Sequence, residues 1–225
     1  MAAYTFAALF LAHVIADYVL QTSWMVMNKR RAIAMVAHIG LVFGTMCLTT
    51  ASVHPWFIGL VLAHLWIDIV KTHAMPEGLG AYVADQLLHV GSIVGVSMLA
   101  PGIWPASPLS DVPNLPLYYM IAGGVLFAVR GGQYAVAMLV AQRGDASGHG
   151  VLLGWVERAA LCVLVIGGFP WLALGVIAGK AMYLAVALPR RSAPARARLW
   201  IGTVVSLGWG LAVAVPLALV MPMMH

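Results

Sequence analysis

Charge is what this sequence has least of. Only 8% of its 225 residues are Asp, Glu, Lys or Arg, against about 25% in ordinary soluble domains. A chain so poor in charge cannot cover a water-facing surface with polar groups. Cysteine is scarce too. Cys47 and Cys162 both lie inside apolar runs, where they read as packing residues rather than as a disulfide. The sequence also lacks Walker A, Gly-x-Ser-x-Gly, Cys-x-x-Cys and His-Glu-x-x-His patterns, which removes the common nucleotide, serine-hydrolase, thiol-redox and zincin signatures. Its first apolar run has no basic segment before it and no small-residue cleavage site, and is read as a retained helix.

What the chain has instead is long apolar runs, with 63% hydrophobic residues overall and a mean hydropathy of +0.96. A spanning helix needs about 20 such residues, whereas a transmembrane β-barrel shows short alternating segments. The sequence therefore predicts an all-α integral membrane protein, a single transmembrane domain over 1–225. Eight spans are predicted, at 4–27, 32–53, 56–74, 81–100, 117–140, 151–168, 171–188 and 199–221. Residues 101–116, with Pro101, Pro105, Pro108, Pro113 and Pro116, form a loop, since proline removes helix hydrogen bonds. Between the last two spans, 189–197 is a short basic loop.

The formal charge of +5 does not point to nucleic acid, because most of the basic residues sit in short loops. There they set orientation and meet anionic lipid, so membrane lipids are the expected partners. Lys29, Arg30, Arg31, Lys71, Arg143, Arg190, Arg191, Arg196 and Arg198 all fall on one side of eight alternating spans. The positive-inside rule makes that side cytoplasmic, with both termini outside, in a bacterial inner membrane. Trp56, Trp104, Trp155 and Trp200 lie near span ends and are expected as interfacial anchors. No internal repeat stands out.

Ionisable residues inside such spans are expensive and mark functional sites by default. His13–Asp17, His64–Asp68 and Asp85–His89 are i,i+4 pairs, each projecting from one helical face. Gln21 continues the first pair by a turn, and His38 and Gln86 add to the set. Counted at about 1.5 Å per residue, His38, His64, Asp85, His89, Arg130, Glu157, Arg158 and Lys180 fall roughly 6–15 Å from the cytoplasmic end, with Asp17 and Gln21 in the same band. Asp68 lies slightly shallower and His13 deeper. One polar cavity in the cytoplasmic half of the bundle is expected.

Imidazole and carboxylate together suit a divalent metal, Zn, Mn or Fe, which can activate water for hydrolysis. The expected ligands are His13, Asp17, His38, His64, Asp85 and His89. Asp68, Glu157 and Lys180 are the candidate catalytic groups, Glu157 as a general base. Arg158, Arg130, Gln21, Gln86 and Lys71 are candidates for substrate binding, the arginines toward an anionic group such as phosphate. The leading expectation is a hydrolase acting on a lipid-linked or phosphorylated substrate. The same inventory suits a proton-coupled or metal-ion transporter. A third reading is a non-catalytic subunit or assembly factor whose charged band docks a partner helix. Structural hydrogen bonding remains the ordinary role of any single buried histidine.

The ordered motifs His13-x-x-x-Asp17-x-x-x-Gln21 with Lys29, then His38, His64-x-x-x-Asp68-x-x-Lys71 and Asp85-Gln86-x-x-His89 resemble a bacterial membrane-protein family, domain of unknown function 3307. In the second half, Gly154-Trp155-Val156-Glu157-Arg158, Ala178-Gly179-Lys180 and Ile201-Gly202-Thr203 through Ser206 resemble its later segments, departing at Trp155, Val156 and Gly179. The resemblance implies a multi-pass membrane fold with no established activity. A weaker likeness, in the His-x-x-x-Asp helices alone, is to small membrane-bound metal-dependent hydrolases.

Overall fold

A computed structural model describes residues 1–140 and 148–224. Every regular element among them is helical. Among the described residues, seven helices are long and apolar enough to cross a membrane. The helix predicted at 151–168 is also formed, as Gly148–Ile166, adjoining the undescribed segment that contains Arg143. The chain packs as two compact units, Met1–Gly123 with Met223–His225, and Gly124–Pro222.

The first unit contains α1 (Ala2–Ile15), α2 (Ser23–Met27), α3 (Ala32–Thr50), α4 (Pro55–Ala74) and α5 (Leu79–Leu99). The predicted span 4–27 is not one straight helix. After Ile15 the chain makes a π turn, Ala16–Leu20, and Gln21 is extended at φ −66° and ψ 108°. The Thr22 side chain then accepts a hydrogen bond from Met25 N and starts α2 as a separate short helix. Gln21 therefore does not continue the His13–Asp17 face by a further helical turn. The break lies in the sequence Gln21-Thr22-Ser23, where Thr and Ser favour caps over helix interiors.

Helices α1, α3, α4 and α5 form a closed ring in which each packs against two neighbours, α1 on α3 and α5, α4 on the same two. One half of this ring is apolar, with Leu9, Ala12, Val42, Met46, Phe57, Leu60 and Ile93 buried against one another. The proline-rich segment closes that end, as a loop. Trp104 N donates to Thr5 Oγ1, Thr5 Oγ1 to Pro101 O, and Ser107 Oγ to Thr50 O at 2.6 Å. Trp104 is 2% exposed and stacks edge-on against Tyr119, so it is a buried packing residue and not the interfacial anchor expected from its position.

The second unit takes in the end of α6 (Leu115–Leu126), a π turn Phe127–Gly131, α7 (Gly132–Val140), α8 (Gly148–Ile166), α9 (Pro170–Ala187) and α10 (Ala193–Val220). Helix α10 packs on α7 and α8, and α8 on α9. The two residues left between the predicted spans 151–168 and 171–188 lie in a tight hairpin, α8 ending at Ile166 and α9 starting at Pro170. Gly168 takes φ +81°, a conformation other residues avoid, which lets Phe169 N return to Leu164 O at 2.8 Å. The basic loop 189–197 is shorter than predicted, because α10 already begins at Ala193 with Pro194 in its first turn. Arg196 and Arg198 are therefore helical.

Candidate metal centre

The half of the first unit opposite its apolar core is polar. The C-terminal ends of α1 and α4 and the N-terminal ends of α3 and α5 meet there, as antiparallel neighbours must. From them project His13 and Asp17, His38, His64 and Asp68, and Asp85 and His89. His13, His38, His64, Asp68, Asp85 and His89 are all buried. Asp17 stands on the π turn, a deviation common at functional sites.

Distances among these groups have a consistent pattern. His38 Nε2 lies 3.5 Å from Asp17 Oδ1 and 3.4 Å from Asp68 Oδ2. His64 Nε2 lies 3.6 Å and 3.8 Å from the same two oxygens. His13 Nδ1 is 3.7 Å from Asp17 Oδ1, and His89 Nε2 is 3.5 Å from Asp85 Oδ1. Good N–H···O hydrogen bonds span about 2.7–3.2 Å, so these pairs are too far apart to satisfy each other. Two ligands of one tetrahedral ion, each bonded at about 2.1 Å, stand about 3.4 Å apart. The separations match co-ligands better than hydrogen-bond partners, with the His38–His64 contact, 3.0 Å between Nε2 atoms, as the exception.

The unsatisfied atoms point the same way. Both nitrogens of His13 and of His89, Asp17 Oδ1, Asp68 Oδ2 and Asp85 Oδ1 are buried without a hydrogen-bond partner. Native interiors leave few such atoms, and each one asks for an explanation. Three groups of donors lie within 4.8 Å of one another: His13–His64–His89, Asp17–His38–His64 and Asp68–Asp85–His89. A void of about 10 Å³, room for about one water, adjoins the first of them, bounded on its other side by Leu9, Val42, Met46, Leu60 and Ile93.

Two lysines hold the aspartates from outside. Lys29 Nζ donates to Asp68 Oδ1 at 2.9 Å and Lys71 Nζ to Asp85 Oδ2 at 2.6 Å. Gln86 Nε2 donates to that same Asp85 oxygen at 2.9 Å. In each aspartate one oxygen is thus committed to a cation and the other is turned inward, unpartnered. Burial works against the Lys29 ammonium, but Asp68 beside it, with Asp17 and Asp85 beyond, outweighs burial and holds its pKa above the ordinary lysine value.

Lys71 and Gln86, expected to bind substrate, both donate to Asp85 Oδ2. Gln21 is half-buried, with Nε2 unpartnered. Spacing marks Lys29 only as a loop cation, although the series of motifs from His13 to His89 includes it. Tyr18 and Tyr82, whose hydroxyls share a buried hydrogen bond, carry no spacing signal, since they meet only between the π turn and α5. Lys71 also lies over the Tyr82 ring, 5.4 Å from its centroid.

The remaining candidates have partners within the second unit. Lys180 Nζ lies 2.8 Å from Glu157 Oε1. Arg130 Nη1 donates to Gln133 Oε1, which also accepts from Trp155 Nε1. Arg158 is buried, donating from Nη1 to Ser206 Oγ at 2.6 Å and from Nη2 to Val129 O. That carbonyl belongs to the π turn, as does Phe127 O, which accepts from Trp209 Nε1. The guanidinium arm fits because Gly132 has no side chain. A Cβ there would stand 2.5 Å from Arg158 Cδ and 2.9 Å from Trp209 Cδ1. Gly132→Ala is expected to displace the arm and lower stability by about 1–3 kcal/mol, as overpacking does. Thermal unfolding in detergent would measure it, and an unchanged midpoint would refute it.

Residues 5–108 match the model of a family described as "Protein of unknown function (DUF3307)". The resemblance read from the polar motifs therefore holds over a segment that contains every donor of the cluster and both lysines. That segment ends before α6, so the second-half motifs lie outside the match. Neither a curated protein nor a solved structure matches the chain.

Proposed function

We propose that this chain is a polytopic protein of the bacterial cytoplasmic membrane whose first unit binds a divalent metal and uses it hydrolytically, on a lipid-linked or phosphorylated substrate. One observation carries the metal: buried imidazole nitrogens and carboxylate oxygens stand 3.4–3.8 Å apart, and both nitrogens of His13 and His89, Asp17 Oδ1, Asp68 Oδ2 and Asp85 Oδ1 have no hydrogen-bond partner. The nitrogen and oxygen donor set suits zinc, manganese or iron. A metal held there would lower the pKa of a bound water and so supply hydroxide at neutral pH. The chain's own residues do the rest. The four helices hold the donors, Lys29 and Lys71 fix the inward rotation of two carboxylates, and the apolar half of the ring limits water. Lys29 and Lys71 are 20% and 26% exposed, so both cations are open to an anionic substrate group.

Elemental analysis of the detergent-purified chain beside a His64→Ala/Asp68→Ala variant tests this reading. Wild-type protein should carry zinc, manganese or iron at about one equivalent or more, and the variant should lose it, as removal of metal ligands does. Equal traces of metal in both would sink the proposal. Transport of a metal ion or proton through the same cluster is a second reading, favoured by the break in the chain at Gln21, just after the π turn that contains Asp17. Metal flux into sealed vesicles containing the protein would select it over hydrolysis.

A further inference from the structure

The cluster contains more donors than one ion can use. Four histidines and three aspartates converge, whereas zinc takes about four ligands and manganese about six. Nor do they converge on one point. The donor groups are threes, and two of these, Asp17–His38–His64 and Asp68–Asp85–His89, have no residue in common. Resting on the metal-site reading above, we propose that the first unit holds a pair of divalent cations, one in each of these triads, with Asp68 facing both.

Asp68 is placed for this. It belongs to the second triad, yet its Oδ2 lies 3.4 Å from His38 Nε2 and 3.8 Å from His64 Nε2, both in the first. Its other oxygen is taken by Lys29, which fixes the carboxylate with Oδ2 turned toward the histidines. The two triads are immediate neighbours, since the His64 and His89 rings lie 4.0 Å apart between centroids. His13 completes the set. Its ring centroid is 5.6 Å from that of His64 and 5.1 Å from that of His89, and neither of its nitrogens has a hydrogen bond.

Charge indicates what a pair of ions would recruit. Two dications and two lysine ammonium groups outweigh three carboxylates, so the loaded site carries excess positive charge. An anionic oxygen ligand offsets it, which suits a phosphate ester and fits the clamp that two-metal hydrolytic sites place on attacking and leaving oxygens. A single ion would leave the site near balance and would not select an anion in this way.

The test uses the full chain in detergent, stripped with a chelator and titrated with Mn²⁺. Wild-type protein should bind about two equivalents, as two-metal sites do, and its electron paramagnetic resonance spectrum should show exchange coupling between neighbouring ions. His38→Ala and His89→Ala, each removing a member of only one of the two triads, should retain about half the metal and lose the coupling. Saturation at about one equivalent with an uncoupled spectrum would overturn the pair and leave the metal-site reading standing. No binding above a detergent blank would overturn both. The wild-type spectrum decides the question even if a variant fails to fold.

Discussion

Stripping divalent metal from the purified chain should lower its apparent melting temperature by about 8–16 °C, and His64→Ala should abolish that response. The size follows from linkage. A ligand present at about 1,000 times its dissociation constant stabilises the state that binds it by about 4 kcal/mol. For a chain of this size each kcal/mol moves the midpoint by about 2–4 °C. The structural reason is the set of buried atoms with no partner: both nitrogens of His13 and His89, and one oxygen each of Asp17, Asp68 and Asp85. Left without an ion these atoms are a standing cost, because a desolvated polar group without a partner destabilises by about 1–3 kcal/mol. His64 is the residue to remove because it belongs to two of the three donor groups and lies across the ring from His13. Thermal unfolding followed with and without chelator, then with metal restored, measures the effect. A wild-type midpoint indifferent to chelation would contradict the metal site outright.

The pairs that form this site were legible because helical spacing is a strong constraint. His13 with Asp17, His64 with Asp68 and Asp85 with His89 had to share faces, and the structure finds each pair within 3.5–3.8 Å. Antiparallel connection then fixed the layer they occupy, since short loops at 51–54 and 75–78 reverse the chain with little offset. What spacing could not show was any departure from the α period. The π turn at Ala16–Leu20 and the extended Gln21 end a helix that hydropathy alone carries on to residue 27. Nor could it show that a lysine outside the predicted spans reaches a buried carboxylate. Lys29 lies 39 residues from Asp68 in sequence, and only the packing of α3 against α4 brings them to 2.9 Å.

The second unit shows the opposite limit. Arg130, Glu157, Arg158 and Lys180 share a depth by residue counting, but depth fixes one coordinate of three. Azimuth around each helix decides who meets whom, and here it pairs Lys180 with Glu157 and Arg158 with Ser206. The π turn whose Val129 O accepts from Arg158 has no signature in hydropathy either. Polar residues in apolar helices announce that something is satisfied. They do not announce by what.

Replacing both lysines, as Lys29→Met/Lys71→Met, should make accumulation of the folded chain depend on added metal. In the wild-type protein each ammonium group neutralises a carboxylate that is 2% exposed. Removing one partner of a buried pair costs about 3–5 kcal/mol, less here because the lysines are partly solvated, and two losses approach the whole stability of an ordinary domain. A dication in the cluster would replace the missing charge. Two effects then compete. Loss of the lysines frees the carboxylates to rotate, which weakens metal binding about 10- to 100-fold, or about 1.4–2.7 kcal/mol. It also removes repulsion between each ammonium and the ion, of order 2–5 kcal/mol per lysine at about 6 Å with partial solvent screening. Relief of repulsion outweighs the loss of orientation, so the variant should bind metal at least as tightly as wild type while depending on it far more. The measurement is the yield of monodisperse protein from cells grown with and without supplementary zinc or manganese. Wild-type yield should hardly change, and the variant should appear only in the supplemented culture. A variant that accumulates equally well in both, or in neither while single-lysine variants fold normally, would show that the cluster does not exchange lysine charge for metal charge.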